Sequence, residues 1–208
     1  MAVAAVFNAL WDLIAKNNKK PLWKFVSESN PEKILSWLTF KHIEDVLKPD
    51  EALKILESNQ TVKEARIDQF LKEGYPSYTT AAGWLGYSDE KIVELCNNYI
   101  SQGWSHFKIK VGLDLEADLK RLELIRKTIG SEKYMMVDAN QQWSVEQSIK
   151  HINAYKKFNL FFVEEPTSPD DILGFAKIKK SVGNVRLATG EACGGRDMFK
   201  QFLETGAM

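Results

Sequence analysis

From Ser88 onward the chain alternates short apolar runs with amphipathic helical stretches, and only a few residues separate one from the next. Ser88 caps a stretch bearing Ile92, Leu95 and Tyr99 that Gly103 closes, and Phe107–Val111 then reads as a strand. Asp114 opens a helix through Leu119, Leu122 and Ile125 to Gly130, and Tyr134–Val137 is the next strand. Ser144 and Gln147 form a capping box before a helix through Ile149 and Ile152. Phe161–Val163, a helix starting with Pro169 at its first position, Leu187–Thr189 and a helix over Asp197–Leu203 complete the series. Such alternation with short connections means βαβ units and a parallel sheet, since a parallel pair needs a crossover. Right-handed crossovers leave an open doubly wound sheet or a (β/α)8 barrel. No GxGxxG or GxxxxGK[ST] follows any strand; Gly190 and Gly195 have the second spacing, but Arg196-Asp197 follow. The expectation is therefore a partial TIM-like barrel of about five βα units, because 208 residues fall short of the roughly 250 of a complete one.

The first part of the chain reads differently. Val3, Val6, Phe7, Leu10, Leu13 and Ile14 recur at helical spacing, and Asn17 to Pro21 stop that helix, which is expected to be buried. A short helix over Leu22–Val26, a strand over Leu35–Phe40 and helical propensity over Asp50–Leu71 follow, before a turn at Gly74-Tyr75-Pro76. Met1 to Ala15 lacks the basic flank of a signal peptide, and no Arg precedes Arg66, as a transit peptide would require. Equal numbers of basic and acidic residues, 28 of each, argue against nucleic acid or an anionic membrane as partner. Two cysteines make neither a disulfide framework nor a zinc site, which suits a reducing compartment.

The chemistry lies at the strand ends. Four successive strands finish on a charged residue, Lys110, Asp138, Glu164 and Glu191, spaced 28, 26 and 27 residues apart. Each interval is about one βα unit, so the four recur at the carboxyl end of the strands, where parallel α/β folds build their sites. Alternation along Phe107–Val111 puts Lys108 and Lys110 on one face and the apolar residues on the other. A lysine row by itself suits an exposed edge strand; the acid-ended strands that follow point instead to a barrel interior. Three carboxylates without His or Cys favour a hard cation, Mg²⁺ above all, which would relieve their repulsion. A lysine beside such an ion is disfavoured as a cation, so Lys110 is expected to act as a base, with Lys108 lowering its pKa further and holding an anionic oxygen. The arrangement suggests metal-assisted removal of a proton next to a carboxylate.

Other polar residues read as structural. His42, His106 and His151 fall out of register with the strand ends, and Cys193 has no histidine partner at a recognisable spacing. Asp170 and Asp171 are charges at a helix N-terminus. Glu165 has the opposite parity to Glu164 and would support the site from behind, and the Trp84–Tyr87 loop either contacts substrate or simply packs.

Taken together, Phe107-Lys108-Ile109-Lys110-Val111-Gly112, Val137-Asp138-Ala139-Asn140 with Trp143, Val163-Glu164-Glu165-Pro166-Thr167 and Thr189-Gly190-Glu191 resemble the enolase superfamily, mandelate-racemase-like group. Thr79-Thr80, Gly83 to Asp89 and Glu164 to Gly174 look most like its L-fuconate dehydratase branch. The resemblance implies that Lys110 removes the proton alpha to a sugar-acid carboxylate, that Lys108 assists there, that Asp138, Glu164 and Glu191 bind Mg²⁺, and that Asn140 contacts the metal-bound substrate. It further implies that residues 1–33 are the last helices of an α+β capping domain and residues 34–208 the first part of the barrel. The activity implied is dehydration of L-fuconate to 2-keto-3-deoxy-L-fuconate. A racemase or epimerase of the same group, or a truncated isoform without catalysis, are the alternatives. Family members carry a histidine–aspartate dyad on later strands that has no counterpart here, so this chain alone is expected to be an inactive fragment. The implied setting is intracellular, mitochondrial or cytoplasmic, and the full-length protein would be a candidate homo-oligomer.

Overall fold

The computed structural model describes residues 2–208, which form two compact units, one ending at Tyr75 and one spanning Pro76–Met208. The first is wholly helical: α1 (Ala2–Asn17), α2 (Leu22–Ser27), α3 (Pro31–Ser36), α4 (Pro49–Gln60) and α5 (Lys63–Glu73). Two expectations change here. Leu35–Phe40 is not a strand: Asn30 accepts a hydrogen bond from the Lys33 amide at 2.8 Å and Pro31 takes the first helical position, so the segment enters α3 and then turns. α1 forms as expected but is not buried, with Ala15 its one buried residue among those described. Within this unit Phe40, Ile43 and Ala52 make a small core of their own. Among the described residues no helix is long and apolar enough to cross a membrane.

The second unit contains α6 (Asp89–Ser101), β1 (His106–Lys110), α7 (Leu115–Ile129), β2 (Tyr134–Asp138), α8 (Val145–Tyr155), β3 (Val163–Glu164), α9 (Ile172–Val182), β4 (Leu187–Ala188) and α10 (Arg196–Glu204). Side-chain caps set most of the helix starts: Ser88 for α6, Asp114 for α7 and Ser144 with Gln147 for α8. α9 begins later than the sequence suggested. Asp171 accepts from the Gly174 amide at 2.8 Å and so fixes the first turn, leaving Pro169 in the approach to the helix.

The strands are all parallel and lie in the order β1-β2-β3-β4. Sequential order without a reversal is the arrangement of a barrel wall; a doubly wound sheet would switch direction after its first strands. A fifth position is present in reduced form. Thr79 pairs with Phe107 through a single parallel bridge, its amide donating to the His106 carbonyl and its carbonyl accepting from the Lys108 amide, both at 2.9 Å. Phe107, Ile109, Val111, Met135, Val137, Val163 and Leu187 join Ile92, Leu122, Ile125, Ile152, Phe175 and Ile178 from the helices in one buried core. That packing commits the odd-numbered residues of β1 to the helices, which leaves Lys108 and Lys110 to the opposite face.

Candidate active site

The register of the sheet levels the site. Lys110 pairs with Asp138, Asp138 with Glu164, and Glu164 with Ala188, so three charged side chains stand side by side at one height. Lys110 Nζ donates to Asp138 Oδ2 at 2.6 Å and to Asn140 Oδ1 at 2.7 Å. One pleat below, Lys108 Nζ donates to Glu164 Oε2 at 2.7 Å and lies 3.3 Å from Asp138 Oδ2. The Lys108 side chain is 7% exposed and that of Asp138 4%. Buried charges at this depth persist only when paired, and here cation and anion alternate across three strands. Burial alone would lower the Lys108 pKa, but hydrogen bonds to Glu164 and Tyr78 and the charges of Glu164 and Asp138 raise it, so Lys108 is firmly an ammonium. The Tyr78 ring, its centroid 4.6 Å from Lys108 Nζ, adds a cation–π contact.

The chain beyond β2 and β3 is bent sharply to make this possible. Asn140, Gln141 and Glu165 all have positive φ (45°, 66° and 41°), a conformation that non-glycine residues adopt at a cost. Asn140 is held there by its own amide, which donates to Asp138 Oδ1 at 3.0 Å. Gln141 Nε2 donates to Glu165 Oε1 at 3.1 Å, and its amide to the Glu165 carbonyl at 2.8 Å. Glu165 is thus turned away from Glu164 and buried, as its parity suggested, and supports the loop from behind. Burial pushes its carboxyl pKa up; the charges of Glu191, Asp138 and Glu164 push the same way, against the Gln141 hydrogen bond.

The structure therefore brings together Lys108, Lys110, Asp138, Asn140 and Glu164. It does not bring Glu191 into contact with them. β4 presents Ala188 at the shared level, and Glu191 is exposed in the turn three residues further on. Among the described residues no group of three acidic, histidine or cysteine side chains is gathered closely enough to hold a metal ion. The donor chemistry nonetheless fits a hard cation: two carboxylates on neighbouring strands already converge on one positive centre, the Lys108 ammonium, and the third acid lies at the next strand end. Lysine nitrogens stand where such a cation would share these oxygens.

The residues set aside in the sequence behave as structural. His106 stacks on Tyr134 at 4.3 Å and His151 packs edge-on against Trp143 at 4.8 Å. Burial raises the Cys193 pKa, and the charges of Asp170 and Glu165 add to the shift, so the thiol is no activated nucleophile. Tyr78 is a contributor that sequence did not single out; Trp84, in the loop read above as contacting substrate or packing, has its ring centroid 5.8 Å from Lys110 Nζ. A hollow of about 520 Å³ opens elsewhere, among Tyr134, Asn159, Phe161 and Arg186 at the opposite end of the strands, away from the carboxylates.

Residues 91–208 match the enolase C-terminal domain-like family. The chain is 48% identical over its whole length to mitochondrial enolase superfamily member 1 of Xenopus laevis, covering 47% of that protein. It superposes on the crystal structure of the human protein of that name with a TM-score of 0.96 at 46% identity, over 99% of this chain and 47% of the other. An L-galactonate dehydratase of Hypocrea jecorina is 41% identical over the whole chain, which again covers 47% of it. A racemase from Streptomyces coelicolor A3(2), solved with bound magnesium, aligns with 88% of the chain and 53% of its own at 26% identity and a TM-score of 0.61. The chain thus spans about half the length of the curated relatives it matches.

Proposed function

Since the chain belongs to the enolase superfamily, we propose that the protein it represents is an Mg²⁺-dependent acid-sugar dehydratase that converts L-fuconate to 2-keto-3-deoxy-L-fuconate. The observation that carries this reading is the alternation of Lys110, Asp138 and Glu164 at one level of a parallel sheet, with Lys108 between the two acids. Sugar-acid chemistry is supported by the likeness to a dehydratase of L-galactonate. L-Fuconate is the 6-deoxy form of that acid, with the same configuration at the reacting carbons.

Each residue has one task. Lys110, in its neutral form, takes the proton from C2, and the electrons of that C–H bond move into the carboxylate to give an enediolate. Lys108, kept protonated by Glu164, Tyr78 and Asp138, faces the carboxylate oxygen on which charge accumulates. Asn140, bound to both Lys110 and Asp138, fixes the angle at which the base meets the substrate. Asp138, Glu164 and Glu191 would hold Mg²⁺, which when bound supplies positive charge for the enediolate. Loss of the C3 hydroxyl with a proton then releases water, and the enol tautomerises to the 2-keto acid. Kinship with proteins named mitochondrial puts the mitochondrion first among compartments, ahead of the cytoplasm.

The test uses the longest reading frame that contains these residues. With L-fuconate and Mg²⁺ in heavy water it should release the 2-keto-3-deoxy acid, and Lys110→Ala should lower the rate at least 10³-fold. Exchange of deuterium into C2 without loss of water would favour the racemase or epimerase reading. Keto-acid formation that survives Lys110→Ala would remove Lys110 from the chemistry.

A further inference from the structure

Two charged residues of α7, Asp118 buried and Arg121 half-buried, take no part in that chemistry. Asp118, 2% exposed, accepts a hydrogen bond from the Gly112 amide at 2.8 Å and another from the Tyr155 hydroxyl at 3.0 Å. One turn further along, the Arg121 guanidinium donates to the carbonyls of Lys110, of Trp84 at 3.3 Å and of Gly83 at 3.4 Å. The Lys110 amide in turn donates to the Gly83 carbonyl at 2.8 Å. The backbone of Lys110 is therefore held twice, by Arg121 directly and through Gly83, while Asp118 fixes the turn at Gly112 that follows it.

Such an arrangement costs more than fold stability alone requires. The Arg121 side chain is half-buried, and its Nε, shielded from water, has no hydrogen-bond partner; an apolar residue of similar size would cover the same helix face without desolvating a charge. What the guanidinium offers is a rigid planar fork whose separate nitrogens reach carbonyls on two segments, whereas an ammonium carries all its donors on one nitrogen. Asp118 supplies the neighbouring negative charge that offsets the desolvation of the half-buried cation. The Trp84 ring, carried on the clamped loop, has its centroid 5.8 Å from Lys110 Nζ.

We propose that Arg121, supported by Asp118, is a positioning residue: it clamps the Gly83–Trp84 loop onto the Lys110 end of β1, so that the lysine is held between Asp138 and the indole ring. The catalytic consequence rests on the reading of Lys110 as the base; the clamp itself does not.

The experiment is residue-resolved amide hydrogen exchange on the 208-residue chain, comparing wild type with Arg121→Met and Arg121→Lys. In Arg121→Met the Lys110 amide should exchange at least 30-fold faster, while the Val137 amide in the middle of the sheet stays within 3-fold of wild type. Arg121→Lys keeps the charge but loses the fork, and should loosen the Lys110 amide in the same way; it serves as the measurement if Arg121→Met does not fold. Uniform acceleration across all strands, or an unchanged Lys110 amide, would overturn the proposal. In the longer reading frame, Arg121→Lys should lower kcat about 10²-fold with KM within 3-fold. Local loosening in a protein that dehydrates no sugar acid would leave the clamp standing and remove the functional reading. A Lys110 amide unaffected by either variant, in a protein whose activity needs Lys110, would do the reverse.

Discussion

Without the ammonium of Lys108, Asp138 and Glu164 would face each other across a gap that is almost dry. Lys108→Met should therefore destabilise the chain by about 3–5 kcal/mol in urea unfolding, the usual cost of stranding a buried charge. Millimolar Mg²⁺ should recover more of that loss in the variant than it adds to wild type; equal responses would mean that the two acids do not bind the ion. His151 sets a second dependence, on pH. Burial holds its pKa below 6.5, and the charge of Lys150 adds to this while Asp118 and Asp114 oppose it. A depressed folded-state pKa gives stability that is present above 6.5 and is lost as pH falls through the folded value, because the unfolded chain takes up the proton first. The urea midpoint of wild type should drop between pH 7.5 and 5.0, and His151→Gln should drop less; parallel profiles would count against the assignment. Lys108, Lys110, Asp138 and Glu164 were legible in the sequence because strand parity and a 26–28-residue period are both visible without a structure. Asp118 and Arg121 were not. Three apart on a helix, an acid and a base look like an ordinary solvated pair, and only the fold reveals that Asp118 is buried and Arg121 half-buried.

Elements were legible where capping and period agreed, as in α6, α7 and α8, and less so where they competed. Leu35–Phe40 has strand composition, but Asn30-Pro31 upstream nucleates a helix that runs into it. β3 and β4 were visible as apolar runs, yet their register was not, and that register is what puts Ala188 rather than Glu191 at the level of Glu164. The Thr79–Gly83 segment was hidden for a different reason: it binds β1 through one bridge and one further hydrogen bond, too little to impose a strand pattern on its sequence. Gly83 makes that approach feasible. A Cβ there would lie within 3 Å of the Lys108 carbonyl oxygen and of Ile109 Cα, both main-chain atoms that cannot swing aside. Gly83→Ala should push the segment off β1, costing about 1–3 kcal/mol as overpacking does, with amide protection lost first at Lys108 and Lys110. Unchanged protection at those two amides would show that the segment does not need the close contact.

For the whole molecule, the contrast between the units decides how the chain behaves in solution. Pro76–Met208 buries its apolar residues in one continuous core, whereas the helical unit leaves much of α1 uncovered. Val3, Val6, Phe7, Leu10, Leu13 and Ile14 are each at least 43% exposed. Val6, Leu10 and Leu13 follow one another at spacings of four and three, so they form a stripe along a single face. A contiguous apolar stripe in water is attractive to any similar surface, at about 25 cal/mol per Å² covered. The short strand β4 adds to this, since on its far side no strand is paired among the described residues, and an unpaired sheet edge is a template for another strand. The two features can be separated experimentally. If the α1 stripe dominates, the 208-residue chain at tens of micromolar should associate and bind an apolar dye such as ANS, and the double substitution Val6→Glu, Leu10→Glu should restore the monomer mass by light scattering and reduce the dye signal several-fold. If association persists in that variant while the dye signal falls, the sheet edge is responsible, and a charge introduced on β4 at Ala188→Lys should abolish it instead.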